Sequence, residues 1–248
     1  MSLTSVNAAE IIKKQYFYKL RAHYGIFTSL FITQLVALAF SFMASGSMGS
    51  GGEGVSINVS FYTGNVIIAF TMLWAFISGV SMNSKLVRNG DFSFVTNRLT
   101  SHVSSLAFLL TTTVVGGIMA MLGSSLLKTI IYFLKGDSIL NHTYSIPVIE
   151  LLIGVIATIL YVTLFGIFGY AVASLTQLNK IFIFLLPLIF IGLLFVEGKT
   201  NGQGPLSVVF RFFAMESSLF LFAIKVIVVI GILCLTATTM SNKLEVRR

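Results

Sequence analysis

Residues 148–173 read VIELLIGVIATILYVTLFGIFGYAVA, twenty-six positions whose one charge, Glu150, lies at the third. An α-helix rises about 1.5 Å per residue, so this run exceeds the ~30 Å hydrocarbon core of a bilayer. Within that core each backbone N–H and C=O must be satisfied without water, which a helix does alone. The run is therefore expected to be a transmembrane helix, and it sets the class of the chain. Working outward, five more apolar runs fall at 25–43, 61–82, 106–127, 181–196 and 217–239. The short alternating segments of a membrane barrel are absent on this reading. Composition agrees, with 56% hydrophobic and 10% charged residues, against about a quarter charged in soluble domains. The expected fold is all-α: one polytopic domain over 1–248 with six transmembrane helices.

Lys and Arg orient the spans, because they concentrate on the cytoplasmic side. With both termini inside, eleven of the sixteen fall there, in 13–21, 85–98, at Lys180 and in 243–248. Only four, Lys128, Lys135, Lys199 and Arg211, fall outside, and Lys225 lies within the last run. The net charge of +8 is then a topology signal. No exposed domain carries a basic face, which argues against nucleic acid as a partner. Residues 8–24 carry no apolar core of a cleaved leader, so the first run is expected to stay as an anchor. The single Cys234 leaves no intramolecular disulfide to form and suits apolar packing. Asn58 and Asn141 begin N-x-S/T tripeptides in expected outer loops.

The connections differ in character. Residues 1–24 are expected to form a cytoplasmic interfacial helix, with Ile11, Ile12, Tyr16 and Leu20 at helical spacing among four cations. Residues 44–60 are rich in Gly and Ser and are expected to be a flexible loop. The turn at 174–180 is short. Gly204-Pro205 reads as the start of a short outer amphipathic helix, with Leu206, Val209, Phe210 and Phe213 on its apolar face. Pro187 should kink the fifth span. Gly116, Ala120 and Ser124, like Gly166, Gly169 and Ala173, put small residues where helices can approach closely, within one subunit rather than across a dimer.

Catalytic signatures are missing. The string nearest a phosphate-binding loop, 123–129, lacks its second Gly. His23, His102 and His142 are scattered over both expected sides, so neither a metal nor a cofactor is expected. Polar residues do share helical faces within the spans. Gln34 and Ser41 lie on one face of the first, and Thr71, Trp74 and Ser78 on one face of the second, with Phe70 beside them. These faces suit either interhelical hydrogen bonds or an amphipathic passage lined by the first, second and fifth spans, and both readings stay open. Lys225 either snorkels to the outer headgroups or marks a polar point of a path. It follows Glu216 by nine residues, a spacing at which a direct pair along one helix is not expected.

The segment 83–105, NSKLVRNGDFSFVTNRLTSHVSS, interrupts this apolar chain. Asn89-Gly90 is a turn signal and Asp91 can cap a helix. Phe92, Val95, Leu99 and Val103 then form an apolar stripe, opposite Asn97, Arg98, Ser101 and His102. Either the inner leaflet or a protein groove could receive that stripe. Few cations on the helix and the pair Phe92 and Phe94 at its start suit a groove better.

This organisation resembles the permeases of type-2 ABC exporters, and RNGDFSFVTNRLTSHVSS (88–105) is similar to their coupling-helix region. The resemblance implies half of a transmembrane dimer, homomeric or heteromeric, docked on a separate ATPase that binds ATP and magnesium. Asp91, Phe92, Phe94, Val95, Arg98 and Leu99 would enter the ATPase cleft. Gln34, Ser41, Phe70, Thr71, Trp74, Ser78 and Lys225 would be candidates for the translocation path. The implied setting is a bacterial plasma membrane, and the implied cargo is a peptide or other amphipathic compound, such as a bacteriocin, a cytolytic peptide or an antibiotic. An ion-coupled secondary transporter and a non-transporting immunity or accessory protein are the alternative readings.

Overall fold

The computed structural model describes residues 8–43, 46–52, 55–61, 64–84, 87, 98–135, 148–200, 203–216 and 218–243. Eight helices are assigned among them: α1 (Ala8–Ala22), α2 (Gly25–Met43), α3 (Asn65–Met82), α4 (Arg98–Lys135), α5 (Val148–Leu178), α6 (Phe182–Lys199), α7 (Pro205–Ala214) and α8 (Leu219–Lys243). Six of these, α2 to α6 and α8, are long and apolar enough to cross a membrane. The protein is accordingly a multi-pass helical membrane protein. Cys234 lies in α8 as a free, half-buried thiol.

Its core is α3, α4 and α5, joined by backbone approach rather than by bulk. A Cβ on Gly79 of α3 would run into the Gly166 carbonyl of α5, and one on Gly169 into the Phe76 carbonyl. A Cβ on Gly117 of α4 would stand 2.7 Å from the Ile159 side chain of α5. In lipid there is no hydrophobic drive between helices, so such close contact and interhelical hydrogen bonds do the holding. The small-residue positions serve packing within the subunit, as their spacing suggests. Many hydroxyls bond back to their own helix, such as Thr111 to the Ala107 carbonyl at 2.7 Å and Thr158 to Gly154 at 2.8 Å, which satisfies them at low cost.

Two elements depart from expectation. The helix that carries the third apolar run starts before residue 106: α4 is one continuous helix from Arg98, 38 residues or about 57 Å long. Within it the stripe is turned outward, Leu99 and Val103 being 63% and 39% exposed, while His102, Ser104 and Ser105 are buried. Of the expected polar face, His102 is buried and Ser101 half-buried, while Asn97 and the Arg98 side chain lie outside the described residues. The Gly/Ser-rich connection is likewise not a loop. Gly46–Gly52 (β1) and Val55–Phe61 (β2) pair antiparallel, with Gly46 opposite Phe61 and Gly52 opposite Val55.

The remaining boundaries move by a few residues. α1 and α2 form one bent element, broken only at His23 and Tyr24. α5 continues to Leu178, α6 runs as one helix through Pro187, and α7 starts with Pro205 in its first turn after Gly204. No residue of α6 is buried, which sets it apart from the other five spans.

Candidate functional site

Polar chemistry gathers at the end of the bundle where α3 and α5 finish and α4 begins. Ser101, Ser104 and Ser105 sit at i, i+3 and i+4 and so share one face of α4. α1 lies against that face and delivers Lys19, which is 0% exposed. Its Nζ donates to Ser105 Oγ at 2.6 Å, Ser104 Oγ at 3.0 Å and the Ser101 carbonyl at 3.1 Å. An ammonium has three protons to give, and burying it costs several kcal/mol unless such partners are built around it. One turn earlier, Gln15 Oε1 accepts from Ser104 Oγ at 3.3 Å, and Tyr16 hydroxyl meets Thr111 Oγ1 at 3.0 Å. α1 is thus clasped to α4 over two turns, beyond what a helix lying on a leaflet requires.

The other side of the same turn of α4 is held by α5. His102 Nδ1 and the Tyr170 hydroxyl lie 2.5 Å apart, both groups buried. Asn83, the residue that ends α3, donates through Nδ2 to the Tyr170 carbonyl at 3.0 Å and to Ser174 Oγ at 2.5 Å. Gln177 Nε2 donates in turn to the Asn83 carbonyl. Tyr170 therefore holds both feet of the polar segment: its carbonyl takes the chain leaving α3, and its hydroxyl takes the chain starting α4. Met82, Phe108, Leu109 and Ala237 close an apolar cluster around it.

Midway along the bundle, the candidate path residues of α2 and α3 are brought together in the interior. Gln34, Ser41, Thr71, Trp74 and Ser78 are all buried. Gln34 Nε2 donates to Thr71 Oγ1 at 2.8 Å, and Thr71 donates on to the Ile67 carbonyl at 2.7 Å. Trp74 Nε1 donates to Ser29 Oγ at 2.9 Å, and Ser41 returns its proton to the Ala37 carbonyl at 2.8 Å. Phe70 stacks on Phe40 with centroids 5.5 Å apart. The Gln34–Thr71, Trp74–Ser29 and Phe70–Phe40 contacts join α2 to α3 as a packed pair. Gln34 Oε1 is the odd atom, buried with no hydrogen-bond partner among the described residues.

Lys225 stands apart from that group and is not unpaired. The expectation that it would miss Glu216 fails because the two do not share a helix: α8 starts at Leu219, and Glu216 lies in the turn before it. Its carboxylate meets the Lys225 ammonium. Lys225 also stands 4.3 Å from the centre of the Phe212 ring and donates to the Phe212 carbonyl at 3.4 Å. At the other end of α7, Glu197 of α6 accepts from the backbone N–H groups of Leu206 and Ser207 at 3.1 and 3.2 Å and from the Ser207 hydroxyl. The free N–H groups of a helix start are thereby satisfied, and α7 is fixed at both ends. Leu206 and Phe213 are half-buried, Phe213 against the Leu164, Phe222 and Val226 cluster, while Val209 and Phe210 are 57% and 71% exposed.

Asp91, Phe92, Phe94 and Val95 lie outside the described residues, as does the side chain of Arg98. Of the docking candidates Leu99 is described, and it faces outward. No group of His, Cys, Asp and Glu suited to a metal occurs among the described residues. Sequence reasoning missed Lys19, Asn83 and Tyr170. The Ser101, Ser104, Ser105 spacing was the available signal. Comparison with protein-family models, curated proteins and solved structures finds no match.

Proposed function

We propose that this chain is the permease subunit of an ATP-driven exporter of the type-2 ABC class, working as a homodimer or heterodimer in a bacterial plasma membrane. The Lys and Arg bias supports both termini and the segment 83–105 lying in the cytoplasm. The observation that carries the reading is the double anchorage of that segment at Tyr170, with Lys19 clasping α1 to the same turn. A loop that merely joins two spans needs no such fastening. A segment that receives a push from a partner does, because buried hydrogen bonds pass displacement on to α1, α3, α4 and α5 together.

In this reading ATP and magnesium belong to a separate ATPase, which fits the lack of a phosphate-binding loop here. Asp91, Phe92, Phe94, Val95, Arg98 and Leu99 form the docking edge, and the cargo is a peptide or other amphipathic compound. The α2–α3 polar face would line a path after the pair separates. Replacing Phe92 and Phe94 together by Ala tests the docking edge. The variant should insert in the membrane normally and lose the ATPase on affinity purification. Retention of the ATPase would remove these residues from the contact.

A further inference from the structure

α1 and α4 do not close completely along one side. A shallow cavity of about 370 Å3 runs between them, lined by Ile12, Lys13 and Tyr16 of α1 and by Ala107, Leu110 and Thr111 of α4. Its α4 wall is continuous with an exposed apolar surface: Leu110 is 46% exposed, on the same side as Leu99, Val103 and Val114 at 63%, 39% and 39%. Its α1 wall belongs to a helix whose Phe17 and Tyr18 are exposed aromatics, followed by the exposed Tyr24, and tyrosines gather at headgroup level. The Tyr16 hydroxyl and Thr111 Oγ1, bonded to each other at 3.0 Å, give this apolar trough a polar edge.

Charge selects what can lie in it. Neighbouring Lys14 is occupied by Glu10 at 2.8 Å, and the Lys14 ammonium, by hydrogen bond and by charge, holds the Glu10 carboxyl below its ordinary pKa. Lys13 is exposed at the cavity and has no carboxylate partner among the described residues. An apolar trough beside an exposed ammonium that no described carboxylate neutralises has the layout of a phospholipid in reverse. We propose that the α1–α4 groove binds one anionic phospholipid, with an acyl chain along Ile12, Ala107 and Leu110 and the phosphate on Lys13. This site is separate from the exporter reading and stands or falls without it.

Native mass spectrometry of the purified full chain tests it, with phosphatidylglycerol and phosphatidylcholine of identical acyl chains. The protein should retain phosphatidylglycerol about fivefold more, the preference one lysine contributes near a membrane surface. Lys13→Gln should bring the two lipids level. Lys180→Gln, which removes an equal charge from the exposed α5–α6 turn, should leave the preference intact. Leu110→Trp, filling the trough, should reduce retention of both lipids, and unfolding curves on the same samples show that each variant is folded. Equal retention by the unaltered protein, or equal loss with Lys180→Gln and Lys13→Gln, would overturn the proposal. Displacement of the lipid by a soluble polyglutamate peptide would overturn it too, reassigning the groove to an acidic protein segment.

Discussion

Gln34→Met should leave the protein as stable as before or slightly more so, which is the reverse of what a lost hydrogen bond suggests. The variant forfeits the 2.8 Å bond to Thr71, and such interhelical bonds in membrane proteins average ~0.6 kcal/mol, with a maximum near 1.7. It also removes Gln34 Oε1, a buried acceptor with no partner among the described residues, and leaving such a group unmade costs about 1–3 kcal/mol. Thr71 keeps its own bond to the Ile67 carbonyl, so no new orphan donor is created, and Met nearly preserves volume. The net is a gain of about 1 kcal/mol, worth roughly 2–4 °C in Tm for a chain of this size. Trp74 is the only tryptophan, one turn along α3 from Thr71, so its fluorescence reports unfolding at the site. A Tm lowered by more than about 4 °C would refute the reasoning. It would mean that Oε1 is solvated, and that the α2–α3 face is a wet passage rather than packing.

Two further substitutions probe the fastenings. Tyr170→Phe keeps the ring and removes the hydroxyl that meets His102. It should cost about 1–2 kcal/mol and speed hydrogen exchange in the first turns of α4, leaving α6 unchanged. Lys225→Met strands Glu216 in the α7–α8 turn. It should destabilise more than the double variant Lys225→Met with Glu216→Gln, with a coupling of about 1 kcal/mol for a pair that is partly exposed. Additive losses would show that the pair contributes nothing.

The six spans were legible because uninterrupted apolar length is a strong signal that packing cannot reverse. What escaped was wherever polar groups satisfy one another. Arg98–Ser105 is too polar for a hydropathy reading to give to the membrane helix, yet its serines and histidine are taken up by Lys19 and Tyr170. Lys19 reads as a snorkelling cation in the sequence, since nothing local shows that three acceptors on another helix await it. Glu216 was misplaced by assuming that helix precedes the last apolar run by a turn. The hairpin was legible after all: V-S-I-N-V-S-F, residues 55–61, alternates apolar and polar at every step, the period of a strand. The glycines and serines before it obscured that signal. The docking edge rests on the resemblance of 88–105, and its Phe pair falls outside the described residues.

Affinity purification of the tagged chain from its native membrane, followed by an ATP-hydrolysis assay on the eluate, tests the central claim most directly. The account predicts a co-purifying ATPase polypeptide that hydrolyses ATP and whose recovery falls with Phe92→Ala and Phe94→Ala. A chain recovered alone, folded and without hydrolytic activity, would contradict it.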